Sequence, residues 1–288
     1  MRTEHDCLDC FRKQALATSR LAGADEKTQA RVLTEVGRLL PLLDLTTSPP
    51  ENAVAVYGKI AEITGVRDPF AEVKAGSTRF ALDLRDEVRA RISAAEDSLY
   101  TAVRCAIAAN IIDYGTQQPF DALHVLRACM DRPLALDEYS RFRGAVTGSA
   151  GVRVLYLADN CGEIVFDGLL VEQLQKLGCE VTLAVRGEVI LNDATLADAG
   201  ASGLADLCPV ISNGTGCPGT PLAGCSEEFR QAFARAGVIV SKGQGNYETL
   251  SAAAAPLFFL LTVKCPVVAR QISAEQNIPQ GVLTAGAR

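Results

Sequence analysis

The sequence predicts an α/β protein in which a helical bundle is followed by a doubly wound, mostly parallel β-sheet. Two observations support this fold class. Apolar residues recur at intervals of three and four through the first half of the chain, which is typical of helices. From Gly151 onward, short apolar runs rich in β-branched residues alternate with helical patterns, which is typical of parallel strands joined by helices. We therefore predict a helical region over residues 1–148 and a Rossmann-like α/β domain over residues 149–288.

The elements of the first half are helices separated by turn-forming residues. Ala30 to Leu43 carries a helical apolar stripe, and a longer stripe extends from Leu82 to Tyr114. No strand is predicted in this half. The predicted breaks between helices fall at Thr46 to Pro50, Asp68-Pro69, Gly115 and Pro133.

The elements of the second half alternate between strand and helix. The predicted strands are Val152 to Ala158, Glu180 to Val185, Gly237 to Ser241 and Leu257 to Val263, with weaker candidates at Pro209 to Ser212 and Gly281 to Thr284. The predicted helices are Glu163 to Leu177, Ser226 to Ala236 and Asn246 to Ala253.

Composition restricts the function of the chain. With 28 basic and 34 acidic residues the net charge is −6, so the chain has no basic excess with which to neutralise nucleic-acid phosphates. The two histidines, His5 and His124, leave little room for a histidine-based zinc site or catalytic triad. The charged start of the chain does not resemble a signal peptide, and no apolar run is long enough to span a membrane. We predict a cytoplasmic protein in which most of the ten cysteines are free thiols.

Two polar segments follow predicted strands, at the edge where doubly wound sheets bind their ligands. The first contains Asp159, Asn160 and Glu163, and the second contains Asn192 and Asp193. Helix caps or turns would explain either segment alone. If the two loops meet in space, Asp159, Asn160 and Asp193 form an all-oxygen ligand set that suits Mg²⁺ or Mn²⁺, and also cobalt or nickel.

A third segment, Ser241 to Glu248, places a lysine at a strand end before two glycines and a helix start. Lys242 with the backbone of Gly243 and Gly245 would make a phosphate-binding loop. The spacing is neither that of a Walker loop nor that of a dinucleotide fingerprint. A glycine-rich connection with a solvated lysine is the alternative interpretation.

Cys7 and Cys10 form a Cys-x-x-Cys pair, and Cys265 could bring a third thiol near them. Such a pair is half of a zinc, iron–sulfur or redox site. The alternative is two thiols one helical turn apart without a function. We keep the three cysteines as a candidate second metal or redox site.

Taken in order, these segments resemble the metal-dependent damage-control phosphatases, in particular the prokaryotic subfamily with a Cys-x-x-Cys near its start. The resemblance rests on the segments that begin at Cys7, Ala106, Asp159, Leu191, Lys242 and Lys264. It implies a three-layer α/β/α sandwich with metal ligands at Asp159, Asn160 and Asp193. It also implies a lysine loop at Lys242, with Asn246 and Glu248 in the pocket.

The same resemblance implies hydrolysis of small phosphomonoesters, such as sugar phosphates or damaged nucleotides and other phosphometabolites, with Mn, Co, Ni or Mg. We predict that Asp159, Asn160 and Lys242 are catalytic. The predicted substrate-binding residues are Glu163, Asn192, Gly243, Gly245, Asn246 and Glu248. The sequence does not define the oligomeric state.

Three alternatives remain open at the level of sequence. Asp159 could attack phosphorus directly, although phosphatases of the haloacid-dehalogenase type carry Asp-x-Asp after the first strand and here the second position is Cys161. The same loops could bind a nucleotide or another phosphometabolite without turnover. A redox or metal protein built on the three cysteines is the third alternative.

Overall fold

The fold is described from a computed structural model of the chain, which describes residues 1–110, 126–128, 130–272 and 280–286. Its centre is a seven-stranded sheet with the order β1-β7-β6-β5-β2-β3-β4. Neighbouring strands are parallel except for β6 and β7, which are antiparallel. The strands are β1 (Leu136–Asp137), β2 (Arg153–Leu157), β3 (Glu180–Val185), β4 (Val210–Ser212), β5 (Val238–Lys242), β6 (Leu257–Val263) and β7 (Gln280–Ala285).

Helices precede the sheet in the sequence and connect its strands. Those before the second strand are α1 (His5–Leu21), α2 (Glu26–Leu39), α3 (Pro49–Thr64), α4 (Ala71–Ala94), α5 (Ser98–Ala109) and α6 (Tyr139–Thr147). Those after it are α7 (Glu163–Lys176), α8 (Leu196–Ala201), α9 (Leu204–Leu207), α10 (Glu227–Arg235), α11 (Gly243–Leu250) and α12 (Pro266–Gln271). Short 3₁₀ turns occupy Leu40–Leu42 and Leu222–Gly224. No helix in the described part of the chain is both long enough and apolar enough to cross a membrane.

The sheet has a packed apolar layer on each face, which confirms the three-layer α/β/α sandwich. Along β2, Val154 and Tyr156 enter one core cluster, whereas Leu155 and Leu157 enter the other. This alternation is expected because successive strand residues point to opposite faces. The first cluster contains residues of α4, α5 and α7, and the second contains residues of α10, α11 and α12.

The first three helices form most of a third cluster, with Phe11, Val36 and Tyr57 among its buried residues, and Ile190 from the loop after β3 belongs to it too. The helices α4 and α5 also belong to the predicted helical region 1–148, yet they pack into the same core as the sheet. The division into regions 1–148 and 149–288 stays a prediction.

Most predicted elements are confirmed, including the strands at 180–185 and 257–263 with their bounds. The expectation of no strand in the first half is wrong, because Leu136 and Asp137 pair with Val282 and Leu283 of β7. A two-residue strand is too short to show the alternation that identifies strands in a sequence.

The long helix predicted from Leu82 to Tyr114 is two helices over its described part. The chain leaves the helical conformation after Ala94, and Asp97 begins α5 by accepting a hydrogen bond from the Tyr100 N–H at 2.9 Å. The end of this predicted helix, residues 111–114, and the predicted break at Gly115 lie outside the described residues.

Candidate functional site

The predicted polar segments meet at the carboxyl edge of the sheet, because β3, β2 and β5 are adjacent and parallel. The loops after β2 and β3 are joined by their backbones. The Cys161 N–H donates to the Asn192 carbonyl at 2.8 Å, and the Ala194 N–H donates to the Asp159 carbonyl at 2.8 Å. Asn160 and Asp193 form an isolated β-bridge. The three predicted metal ligands, Asp159, Asn160 and Asp193, are therefore brought together.

Two amide side chains hold the carboxylates of Asp159 and Glu163. The Nδ2 atom of Asn110 donates to Asp159 Oδ2 at 3.2 Å and to Glu163 Oε2 at 2.8 Å. The Nδ2 atom of Asn160 donates to the same two oxygens at 2.9 and 3.1 Å. Burial raises the pKa of Asp159 above its ordinary value, and the nearby charges of Asp193 and Glu163 raise it further. A cation beside these carboxylates would stabilise their charged forms and so oppose the effects of burial and of mutual repulsion on the pKa.

Lys242 lies beneath this group, with its side chain fully buried. Its ammonium donates to Glu163 Oε1 and to Asp167 Oδ1, each at 2.5 Å, and the Tyr156 hydroxyl donates to the same Asp167 oxygen at 2.7 Å. Burial acts to lower the pKa of Lys242, but Asp167 and Glu163 outweigh it, and the pKa lies above its ordinary value. Lys242 is therefore a charged lysine held by two carboxylates.

Arg186, which follows β3 directly, is a site residue that the sequence interpretation missed. Its guanidinium is buried between the two candidate acidic ligands: Nε donates to Asp193 Oδ2 at 2.6 Å, and Nη2 lies 3.5 Å from Asp159 Oδ1. The signal in the sequence is that Arg186, a charged residue, directly follows the buried strand β3. Asn110 and Asp167 were also missed as site residues, although both belong to segments that carry the family resemblance.

Six buried charged side chains form what we call the floor of the site. They are Asp159, Glu163, Asp167, Asp193, Arg186 and Lys242, none more than 8% exposed. With every group ionised, four carboxylates face two cations, which leaves the floor with a formal charge of −2. This deficit, together with oxygen donors from two carboxylates and an amide, fits a divalent cation.

A pocket of about 450 Å³ opens above the floor. Asp159, Asn160 and Asp193 line it, and so do Asn192, Gly245, Glu248, Cys7, Cys10 and Cys265 from the predicted set. Lys264 and Lys13 also line it and were not predicted. The other predicted site residues lie beneath the pocket wall: Glu163, Lys242, Gly243 and Asn246.

The two glycines of the lysine loop are required by close approaches. Gly243 has a φ of +79°, and a Cβ atom built on it would lie 1.9 Å from Asp159 Oδ2. A Cβ atom on Gly245 would lie 2.0 Å from the carbonyl oxygen of Pro218. The loop therefore carries glycine so that its backbone can pass directly against Asp159 and the 218–219 turn.

The outer part of the pocket, which we call the rim, consists of Cys7, Cys10, Glu248, Lys264 and Cys265. The Nε2 atom of Gln244 donates to Glu248 Oε1 at 3.0 Å and lies 3.5 Å from Cys265 Sγ. Burial raises the pKa of Cys7 and of Cys10, which favours their neutral thiol forms. Within the described residues, no three His, Cys, Asp or Glu side chains are arranged to hold a metal ion together.

The remaining described cysteines predicted to be core residues, Cys105, Cys179 and Cys208, are buried, which confirms the prediction. Cys161 is buried too, with Sγ 3.7 Å from the Asp193 carbonyl oxygen. Cys129 and the last five residues of the family segment at 106–115 lie outside the described residues.

The fold and the site define an α/β protein with an acidic, cation-compatible centre at the carboxyl edge of its sheet. The family model of the damage-control phosphatase ARMT1-like domain matches residues 3–278. The chain therefore belongs to the ARMT1-like damage-control phosphatase family.

Relatives of the chain agree with this assignment. A damage-control phosphatase of Pyrococcus horikoshii is 32% identical over 287 residues, which cover 98% of this chain and 97% of the relative. A damage-control phosphatase of Archaeoglobus fulgidus is 32% identical over 275 residues, covering 92% of this chain and 93% of the relative. The crystal structure of a DUF89 family protein from Pyrococcus horikoshii superposes with a TM-score of 0.91 at 31% identity, and all of both chains is covered. These matches confirm the predicted family and support a phosphatase role.

Proposed function

We propose that this chain is a phosphatase that requires Mn, Co, Ni or Mg and hydrolyses small phosphomonoesters in the cytoplasm. Its substrates would be sugar phosphates, or damaged nucleotides and other phosphometabolites. The observation that carries the proposal is the excess of four buried carboxyl groups over two buried cationic groups directly beneath a pocket of small-molecule size. Membership of a damage-control phosphatase family supports the same reaction class.

In this proposal the metal is held by Asp159, Asn160 and Asp193, which lie together and line the pocket. A divalent cation bound there supplies charge neutralisation for a phosphate oxygen and lowers the pKa of a water molecule. Asn110 and Asn160 keep the Asp159 carboxylate in place by donating to its Oδ2 atom. A fixed ligand geometry costs no reorganisation when the charge of the transition state develops.

The phosphate-binding role is assigned to residues that face the pocket. Lys264 is exposed and lines the pocket, and Gly245 and Asn192 line it nearby. The Lys264 charge also acts to lower the pKa of Asp159, so the lysine lies within electrostatic range of that proposed ligand. We assign Lys242 a supporting role instead of the phosphate contact expected from the sequence, because both of its bonds are to floor carboxylates.

The contacts of Asp159 favour a metal ligand over a covalent nucleophile. Its Oδ2 atom accepts hydrogen bonds from two amides, and its Oδ1 atom faces Arg186 at 3.5 Å. Both oxygens of the carboxylate are thus engaged by neighbouring side chains, which hold Asp159 in place and leave neither oxygen free of partners for attack on phosphorus. Water activated at the metal is therefore the proposed nucleophile.

The proposal is tested by assaying 4-nitrophenyl phosphate with Mn²⁺, Co²⁺, Ni²⁺, Mg²⁺ and a chelator. We expect activity only with metal, and a loss of at least about 1,000-fold in kcat for Asp159→Ala, because a metal ligand is removed. Cys10→Ser is the matched control, since it alters the same pocket without touching the floor, and should keep kcat within about twofold.

Three results would contradict the proposal. Full activity of Asp159→Ala, or turnover in the presence of chelator, rules out the metallophosphatase. If the wild type binds the metal and phosphate but turns over no phosphomonoester, the non-catalytic binding module is correct. Stoichiometric zinc or iron that is lost in Cys10→Ser, with phosphatase activity unchanged, would support a second metal or redox site built on the rim thiols beside the catalytic one.

A further inference from the structure

We propose that Arg186 is a positioning residue that sets the separation of the two acidic metal ligands and ties them to the neighbouring loops. This inference rests on the proposed function, because it treats Asp159 and Asp193 as ligands. Arg186 itself does not line the pocket and is 2% exposed, so it acts through the residues that it holds.

One part of the guanidinium spans the two carboxylates. The Nε atom donates to Asp193 Oδ2 at 2.6 Å, while Nη2 lies 3.5 Å from Asp159 Oδ1. Arg186 thus occupies one oxygen of each acid. Because the guanidinium is planar and rigid, these two contacts fix the positions of the carboxylates relative to each other.

The other part of the guanidinium binds the 219–220 turn and the helix α11. Its Nη1 atom donates to the Gly219 carbonyl at 3.0 Å, to Thr220 Oγ1 at 3.2 Å and to Asn246 Oδ1 at 3.0 Å. Asn246 in turn donates to the carbonyls of Ala158 at 3.2 Å and Lys242 at 2.8 Å. Arg186 therefore joins segments that follow β2, β3, β4 and β5.

This arrangement needs the shape of arginine and not only its charge. A lysine ammonium is a compact charge with three donors on a flexible stem, and it cannot span both carboxylates and the 219–220 turn in one plane. Arg186→Lys keeps the positive charge near the metal site, so a change in metal affinity in that variant reports on ligand placement. Residues that orient metal ligands typically contribute 10- to 100-fold to metal affinity.

The test is the binding of Mn²⁺ alone to metal-free protein, measured by calorimetry for wild type and Arg186→Lys. We expect the dissociation constant for Mn²⁺ to rise by about tenfold or more in the variant. Arg89→Lys is the matched control, because Arg89 also bridges two carboxylates, Glu172 at 2.8 Å and Asp86 at 2.6 Å, but lies outside the site. It should change the dissociation constant by less than about twofold.

The same experiment has a milder variant in case Arg186→Lys does not fold. Thr220→Val removes one acceptor of Nη1 and the hydrogen bond that Thr220 donates to Asn246 at 2.7 Å. It should weaken Mn²⁺ binding by about threefold with an unchanged far-ultraviolet spectrum. If the folded variants bind Mn²⁺ as tightly as the wild type does, the positioning role of Arg186 is overturned, but the proposed function is not. If the wild type binds no Mn²⁺ and, in the same calorimetric measurement, no Co²⁺, Ni²⁺ or Mg²⁺ either, the proposed function is overturned as well.

Discussion

The floor and the rim of the site differ in how deeply their residues are buried and in how their charged groups are paired. All six charged groups of the floor are buried, and each is paired with another charged group or with an amide at distances of 2.5 to 3.5 Å. On the rim, Cys10 and Lys264 are exposed, and Cys7 and Cys265 are half-buried. The difference indicates that the floor sets the charge and geometry of the site, whereas most of the rim is open to solvent.

The first prediction concerns the most deeply buried ion pairs of the floor. Replacing Lys242 by Met leaves Glu163 and Asp167 without their shared cation in a region with 0–1% exposure. Removing one partner of a buried pair leaves an uncompensated charge, so we expect the free energy of unfolding to fall by about 3–5 kcal/mol. Urea denaturation followed by circular dichroism measures this loss.

The matched control for Lys242 is a surface lysine with a carboxylate partner. Lys59 pairs with Glu62, whose side chain is 62% exposed, and Lys59→Met should cost less than about 1 kcal/mol. If Lys242→Met keeps wild-type stability and loses only phosphate affinity, Lys242 belongs to the substrate pocket, and the supporting role assigned to it is wrong.

The second prediction concerns the contact between the lysine loop and Asp159. Gly243→Ala places a methyl group where Asp159 Oδ2 now lies, so either the loop or the carboxylate must move. Because displacing a catalytic group by about 1 Å can cost about 100-fold in rate, we expect kcat to fall by at least that factor. The assay is metal-dependent hydrolysis of 4-nitrophenyl phosphate.

Gly65→Ala separates steric displacement from backbone strain. Gly65 also has a positive φ, +72°, but no atom of the described residues lies within 4 Å of the position that a Cβ atom would take, so the substitution adds only strain. It should reduce stability by about 1–2 kcal/mol and leave kcat unchanged. Equal losses of kcat in both variants would show that the Gly243 contact has no special role.

The sequence predicts the fold and the polar segments that follow its strands because both depend on local patterns. Buried strand runs and helix starts are visible in the residues, and parallel strands place their carboxyl ends at one edge. That reasoning left the meeting of the loops of Asp159 and Asp193 as a condition, and the isolated bridge between Asn160 and Asp193 shows that the loops do meet. Their roles as metal ligands stay a prediction.

The sequence does not predict the directions of the Lys242 and Arg186 side chains, the two cationic groups of the floor. Lys242 is the last residue of β5, and its direction depends on which face of the sheet α7 covers with Glu163 and Asp167. Arg186 contacts residues as far along the chain as Asn246, 60 positions away. Such contacts arise from tertiary packing, which no spacing pattern in the sequence encodes.

The third prediction tests the one rim carboxyl that is buried. Burial raises the pKa of Glu248 from 4.5 to about 7, against the opposing effects of the Gln244 amide and the N-terminal ammonium. Between about pH 4.5 and about pH 7, the folded chain keeps the Glu248 proton whereas the unfolded chain loses it. The contribution of Glu248 to the free energy of unfolding is therefore fully present at low pH and falls as the pH rises through this range. Glu248→Gln removes the ionisation. It should raise the free energy of unfolding at pH 8 by about 1–3 kcal/mol and change it little at pH 4.

Urea unfolding of the wild type and of Glu248→Gln between pH 4 and pH 8 measures this difference. Glu96→Gln is the control, because Glu96 is exposed and its replacement should change the free energy of unfolding by less than about 0.5 kcal/mol. Parallel stability curves for wild type and Glu248→Gln would mean that water reaches this carboxyl as freely as the thiols beside it. Every residue of the rim would then be in contact with water, and Glu248 would not share the buried environment of the floor.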